Sequence, residues 1–319
     1  MAVQKQYAHY VKPMLIKEPP KGLYPEKRVW MEAKDMEGFN AHFSFGFIKE
    51  PTNYIHPMEG AIVHPFDELL VFEGTDSAGS MLDLNGEVSV ELGEEREEYV
   101  FNKPTVVLIP KGMPHGAMKV RKVKKPIAHY TIGLAPAYSA SPIKVNDVKS
   151  KGNKYQKYVK KMITTVAEKA PEAEGRMSNV IGRDGIMRPA KAGVGPGNGD
   201  QIVWLYGDDL EGFNINFTWG FYSQCGKWHR GGESHYHPEA EILCFVGSDF
   251  NDLNYLGAEQ ELGMGKEMER HVFNTSTCVV CPGGFPHLPL ITRWVDKPYY
   301  FFVICLSGEH ASPWTETEE

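Results

Sequence analysis

The chain repeats itself, and the repeat constrains the fold more than any other feature. Glu37-Gly38-Phe39-Asn40 recurs 174 positions on as Glu211-Gly212-Phe213-Asn214, and Phe45-Gly46-Phe47 recurs at the same offset as Trp219-Gly220-Phe221. His64-Pro65 and Glu68 match His237-Pro238 and Glu241 at an offset of 173. Val100-Phe101-Asn102 matches Val272-Phe273-Asn274 at 172, as do Pro110, Gly112, Pro114 and His115 with Pro282, Gly284, Pro286 and His287. Lys125-Pro126 matches Lys297-Pro298. Blocks that keep their order with so little drift mark an internal duplication. Each copy covers roughly 37–134 or 211–307, too long for a solenoid unit and right for one small β domain.

Each copy reads as short strands between turn residues. Phe39–Ile48 and Phe213–Tyr222 are aromatic-rich and partly alternating. Glu68–Phe72 and Glu241–Val246 are compact apolar runs ending at Gly74 and Gly247. Thr105–Ile109 and Thr277–Cys281 are β-branched runs stopped by Pro110 and Pro282, and Ile127–Leu134 and Tyr299–Leu306 close the copies. Helical periodicity is absent from both. The predicted class is all-β, a pair of sandwiches or barrels. The expected domains are 1–140 and 200–319, joined by a linker over 141–199. In the linker, Tyr155, Tyr158, Met162 and Val166 recur near a 3.6 period and predict a helix over Lys154–Glu168. Lys191–Gly199 is a glycine-rich loop without the Lys-Ser/Thr ending of a phosphate-binding loop.

Composition narrows the function classes. The net charge of −7 offers no basic excess for nucleic acid or an anionic membrane. The longest apolar run, Tyr299–Leu306, falls far short of the roughly 20 residues that span a bilayer, and Met1–Ile16 has no signal-type stretch. The five cysteines are an odd number, all in the second half, and point to free thiols in a reducing cytoplasm. Cys278 and Cys281 resemble a redox or zinc pair. Three apart in a strand, they face opposite sides and read as core.

The histidines carry the chemistry. His235 and His237 share one face of an extended segment, Glu241 has the same parity, and His287 follows a tight Pro-Gly turn. Three imidazoles and one carboxylate suit a divalent first-row ion. In the first copy His64, Glu68 and His115 stand at the places of His237, Glu241 and His287, but Ile62 stands where His235 would be. That copy is expected to offer a reduced, possible second site. His56 and His229 occupy matching places ahead of the two motifs. Each reads as a fourth donor, an acid/base group behind the ligands or a turn residue, the last two favoured, with His229, beside the complete set, as the candidate acid/base partner of Glu241.

His-x-His-x-x-x-Glu followed by Pro-x-Gly-x-x-His resembles the two metal motifs of the cupin superfamily, and the duplication resembles bicupins. Gly247 matches the glycine that closes the first motif. The glycine ahead of the first histidine is displaced to Gly231 and Gly232, and Ile291 replaces the trailing Asn of the second motif. The resemblance implies two jelly-roll barrels related by an approximate two-fold, each with its site inside, and a homodimer. It implies a metal at His235, His237, Glu241 and His287, with Fe, Mn or Ni ahead of Zn and Cu. The expected activity is a dioxygenase acting on a small aromatic, enolate or carboxylate substrate. The alternatives are a metal-dependent decarboxylase, lyase or isomerase, and a non-catalytic storage bicupin. Oxalate decarboxylases usually keep a full ligand set in both barrels, so Ile62 argues against close similarity to them.

Overall fold

The computed structural model describes residues 5–75, 83–145, 152–162, 179–181, 187–189, 198–228 and 234–309. The chain divides into two compact units, one of Leu15–Met162 and one of Met1–Met14 with Ile163–Glu319. Each is a jelly-roll barrel of two antiparallel sheets, and the fold is all-β as expected.

In the N-terminal barrel the larger sheet has the strand order Val159–Lys161, Thr105–Ile109, Glu68–Gly74, Ile127–Gly133, His42–Ile48, Arg28–Met31, Ile16–Lys17. The facing sheet runs Ser141–Ile143, Ala61–Val63, His115–Val123, Gly86–Leu92, Glu97–Phe101, with Thr52–Ile55 also paired to His115–Val123. Inward residues of both sheets, among them Leu70, Phe72, Val88, Val90, Val107, Met118 and Val120, pack as one core. The C-terminal barrel matches it. Its larger sheet runs Val11–Pro13, Thr277–Cys281, Glu241–Gly247, Tyr299–Cys305, Asn216–Tyr222, Gln201–Leu205, and faces Gly226–Lys227, His287–Val295, Tyr255–Met264, Glu269–Thr275. Alternation explains the layering, because apolar side chains of one parity fill the space between the sheets.

The linker expectation needs correction. No helix forms in the described part of Lys154–Glu168; residues 163–168 lie outside the described residues, as does most of the Lys191–Gly199 loop. Gln156–Tyr158 is one 3₁₀ turn, and Val159–Lys161 is a strand paired with Thr105–Val107. Tyr155, Tyr158 and Val159 pack against the N-terminal core. The apolar spacing was real, but an open sheet edge took the backbone.

The domain limits are corrected for the same reason. Tyr7-Ala8-His9-Tyr10-Val11-Lys12-Pro13-Met14 is a second copy of Tyr155-Gln156-Lys157-Tyr158-Val159-Lys160-Lys161-Met162, offset by 148. Each copy is an arm that closes a sheet edge. Val11 pairs with Val279 in the C-terminal unit, and Val159 pairs with Val107 in the N-terminal unit. Tyr155 Oη donates to Glu95 at 2.6 Å and Tyr7 Oη to Glu267 at 2.9 Å. The 1–14 arm thus belongs with the C-terminal barrel, and the 152–162 arm with the N-terminal one. Among the described residues no helix is long and apolar enough to cross a membrane.

Each arm tyrosine lies over a glycine in the left-handed region. A Cβ on Gly93 (φ +77) would sit 2.2 Å from the Tyr155 ring, and one on Gly265 (φ +74) 2.3 Å from that of Tyr7. Gly93→Ala and Gly265→Ala should therefore each cost about 2 kcal/mol, from backbone strain and loss of the ring contact. Urea midpoints check this; an unchanged midpoint in either variant would show that its arm contributes nothing.

Candidate metal centres

One row of inward positions sets the chemistry of each barrel. In the N-terminal barrel the row crosses four strands as Ile109, Glu68, Gly133 and His42, each the register partner of the next. The matching row of the C-terminal barrel is Cys281, Glu241, Cys305 and Asn216. Glu68 and Glu241 are 1% and 2% exposed, so each carboxylate must be compensated where it stands.

The compensation is histidine. In the C-terminal barrel, His235 and His287 form a two-way backbone bridge that faces their rings inward. Their Nε2 atoms are 3.1 Å apart, and that of His237 is 3.2 Å from His235. Glu241 Oε1 lies 2.8 Å from His287 Nε2 and 3.3 Å from His237 Nε2. His287 Nδ1 donates to the Phe285 carbonyl, which turns the Nε2 lone pair toward the others.

The N-terminal barrel departs from the expectation. His115 pairs with Ile62 just as His287 pairs with His235, so Ile62 does hold the non-ligating place. The fourth donor arrives from elsewhere. His56, following the strand Thr52–Ile55, is fully buried, with Nε2 3.1 Å from Glu68 Oε2. His64 Nε2 is also at 3.1 Å and His115 Nε2 at 3.8 Å. His64 Nδ1 donates to the Ser139 carbonyl at 2.8 Å. His56, for which the sequence favoured a place behind the ligands over that of a fourth donor, joins the cluster and restores the count that Ile62 removed. His229 lies outside the described residues.

Both quartets fit a divalent first-row metal. The donor atoms of each group lie within 4.8 Å of one another, and every residue is buried. Separations near 3 Å are those of neighbouring donors around one ion at about 2.0–2.2 Å. Lone pairs this close repel unless a proton or a cation lies between them. Burial raises the affinity of Glu241 for a proton, but His237 and His287 outweigh it and hold the carboxyl well below the usual range. Burial opposes charge on Glu68 as well, and His56 and His64 overturn it. Burial pushes His115 down to about 3, which keeps its lone pair free.

Solved structures with this architecture include several of one enzyme. A deletion mutant of Bacillus subtilis oxalate decarboxylase aligns with a TM-score of 0.56 at 8% identity, over 94% of this chain and 76% of that one. The same enzyme at pH 4.6 aligns at 0.53 and 9%, over 90% and 73%. A structure from a study of its Mn(II) centres aligns at 0.53 and 9%, over 90% and 74%. The fold is that of a bicupin. At this identity the likeness shows the fold alone. No protein-family profile and no curated protein sequence matches the chain.

Three further residues beside the two clusters escaped the sequence reading. Cys281 and Cys305, on the strands either side of Glu241, are buried thiols pushed up by burial and by the Glu241 charge. His42 donates from Nδ1 to the Ala135 carbonyl at 2.8 Å, and its buried Nε2 has no hydrogen-bond partner. Its ring fills the space Gly133 leaves, where a Cβ would sit 2.2 Å from its Cε1. Pairing the strands of the two copies would have exposed all three. Phe245, of the same strand parity as Glu241, is packed between Phe273 and Phe301.

One ion in each cluster predicts two per chain. His235→Ala and His56→Ala should each reduce the count to one, and together to none, by elemental analysis against protein concentration. Full occupancy in the His56→Ala variant would show that His64, Glu68 and His115 suffice and that His56 is not a ligand.

Proposed function

We propose that this bicupin is a metal-dependent decarboxylase or related lyase acting on a small carboxylate. The observation that carries the reading is His56. It gives both barrels three histidines and one carboxylate, and so removes the objection that Ile62 raised against oxalate-decarboxylase-like chemistry. The neighbouring structures are of an oxalate decarboxylase, which supports the same reaction class over the dioxygenase of the first expectation. His235, His237, Glu241 and His287 hold one ion, and His56, His64, Glu68 and His115 a second. A divalent ion there would supply Lewis-acid stabilisation of the negative charge of a carboxylate substrate.

The chain's own groups fit that task. Three neutral imidazoles and one carboxylate leave a divalent ion positively charged, so an anionic substrate is preferred. Cys281 and Cys305 stay protonated beside Glu241 and add no negative charge to compete with it. Thiols so near a centre that activates oxygen would be exposed to oxidation, which favours chemistry without net oxygen consumption. Glu241 and His229 are the candidates for moving the proton that replaces the departing carboxylate.

The test is a panel of small mono- and dicarboxylates with the metal-loaded protein, following carbon dioxide and dissolved oxygen together. Carbon dioxide should form without stoichiometric oxygen uptake. Glu241→Gln should lower turnover at least about 100-fold with the barrel still folded. One oxygen consumed per turnover would restore the dioxygenase reading.

A further inference from the structure

The N-terminal barrel buries a cation that nothing in it neutralises. Arg28, on the strand Arg28–Met31, is 5% exposed. Its guanidinium lies 3.7 Å from the centre of the Tyr24 ring. One terminal nitrogen donates to the His129 carbonyl at 2.8 Å, while Nε is buried without a partner. Among the described residues no carboxylate lies within ion-pair distance of it. The ionisable neighbours are uncharged. His129 donates from Nδ1 to the Val71 carbonyl and accepts from Tyr24 Oη at Nε2, and burial with the nearby Arg28 charge keeps it neutral. Burial keeps Tyr24 protonated. A ring face and one carbonyl do not replace a counter-ion.

The surroundings are built for this cation. The guanidinium lies against Gly46, where a Cβ would come 3.3 Å from that of Arg28 and 3.7 Å from its Cζ. Arg28 and His129 sit at the places that Ile202 and Phe301 hold in the C-terminal barrel, given by their shared register with Gly46 and Gly220. The second copy is apolar there, so the fold does not require the charge. Tyr24 separates Arg28 from the metal cluster, its ring centre 5.4 Å from that of His56.

We propose that the N-terminal barrel holds a second binding site, for a small carboxylate anion, at the Arg28 guanidinium on the far side of Tyr24 from the metal cluster. The anion takes the free Nε–H and a terminal N–H in the paired geometry that guanidinium offers to carboxylate. The site stands apart from the proposed activity: it needs neither turnover nor the identity of the metal.

The experiment is thermal unfolding of the protein as isolated, in a bulky zwitterionic buffer, with added sodium acetate. Acetamide, sodium chloride and sodium gluconate serve as the controls. Acetate at about 100 times its Kd should raise the midpoint by several degrees, with acetamide and gluconate inert and chloride weaker. Arg28→Met should lose most of this rise and be no less stable than wild type without acetate, since it removes an unpaired buried charge. Arg28→Lys should keep a reduced rise, and it decides the matter if Arg28→Met does not fold. Three results overturn the proposal. One is a wild-type midpoint indifferent to acetate. Another is a response unchanged in the variants, which would place acetate on the metal clusters. The third is equal stabilisation by chloride, which would make the site a general anion hole.

Discussion

A carboxylate buried in the middle of a barrel has to be neutralised in place, and much of this molecule is organised around that need twice over. Glu68 and Glu241 head the central strands of the larger sheets. The strands on either side are closed by hydrogen bonds and offer no water. The charge is met by imidazoles from the opposite sheet and its connections, which makes both quartets natural cation sites. The second copy reaches this state through His235 and His237 within one motif. The first reaches it through His56, outside the motif, while Ile62 fills the vacated place as core. What is preserved between the copies is a buried carboxylate met by three imidazoles.

The edge strands show the same economy. A jelly-roll leaves the Thr105–Ile109 and Thr277–Cys281 edges open, and unpaired edges invite association with other chains. Each is covered by an arm with the pattern Tyr-x-x-Tyr-Val-Lys-x-Met, anchored by a tyrosine hydroxyl to a glutamate at matching positions, Glu95 and Glu267. The arms are 148 residues apart, whereas the barrel blocks are 172–174 apart. The connection from arm to barrel therefore differs in length between the copies while both ends stay in register.

The β class, the duplication and the motif ligands were legible in the sequence because each leaves a local pattern: turn residues, repeated blocks, histidines two apart. His56 was legible only as one of three alternatives, because the choice among them depends on where the chain returns after the strand Thr52–Ile55, and no spacing rule reports that. The helix expected over Lys154–Glu168 failed for a related reason. Three or four apolar residues near a helical period also suit a short turn and strand when an unpaired edge lies within reach. Had the arm copy at Tyr7–Met14 been noticed, the second occurrence of the pattern would have argued for pairing at an edge. Cys281 and Cys305 were legible only as core, since it takes strand register to place both beside Glu241.

The two interiors differ in the polar groups of their walls. In the N-terminal barrel the polar groups lie on the larger sheet, where His42, Ser44 with Thr131, His129 and Arg28 run inward along neighbouring strands. The facing sheet presents Val88 and Val120. In the C-terminal barrel the larger sheet presents Asn216 and Thr218 beside Ile202, Phe301 and Val303, and the facing sheet carries Gln260 and Thr292 in the same register as Val88 and Val120. Thr292 bonds to Tyr299 at 2.7 Å and to Asn198 at 2.9 Å, leaving Gln260 Nε2 and Asn198 Oδ1 buried without partners. Buried polar atoms are costly unless they meet a ligand or water. Two barrels that share a His/Glu cluster but differ in the polar atoms around it present different surfaces to whatever enters them. Equal ligand sets therefore do not make equal sites.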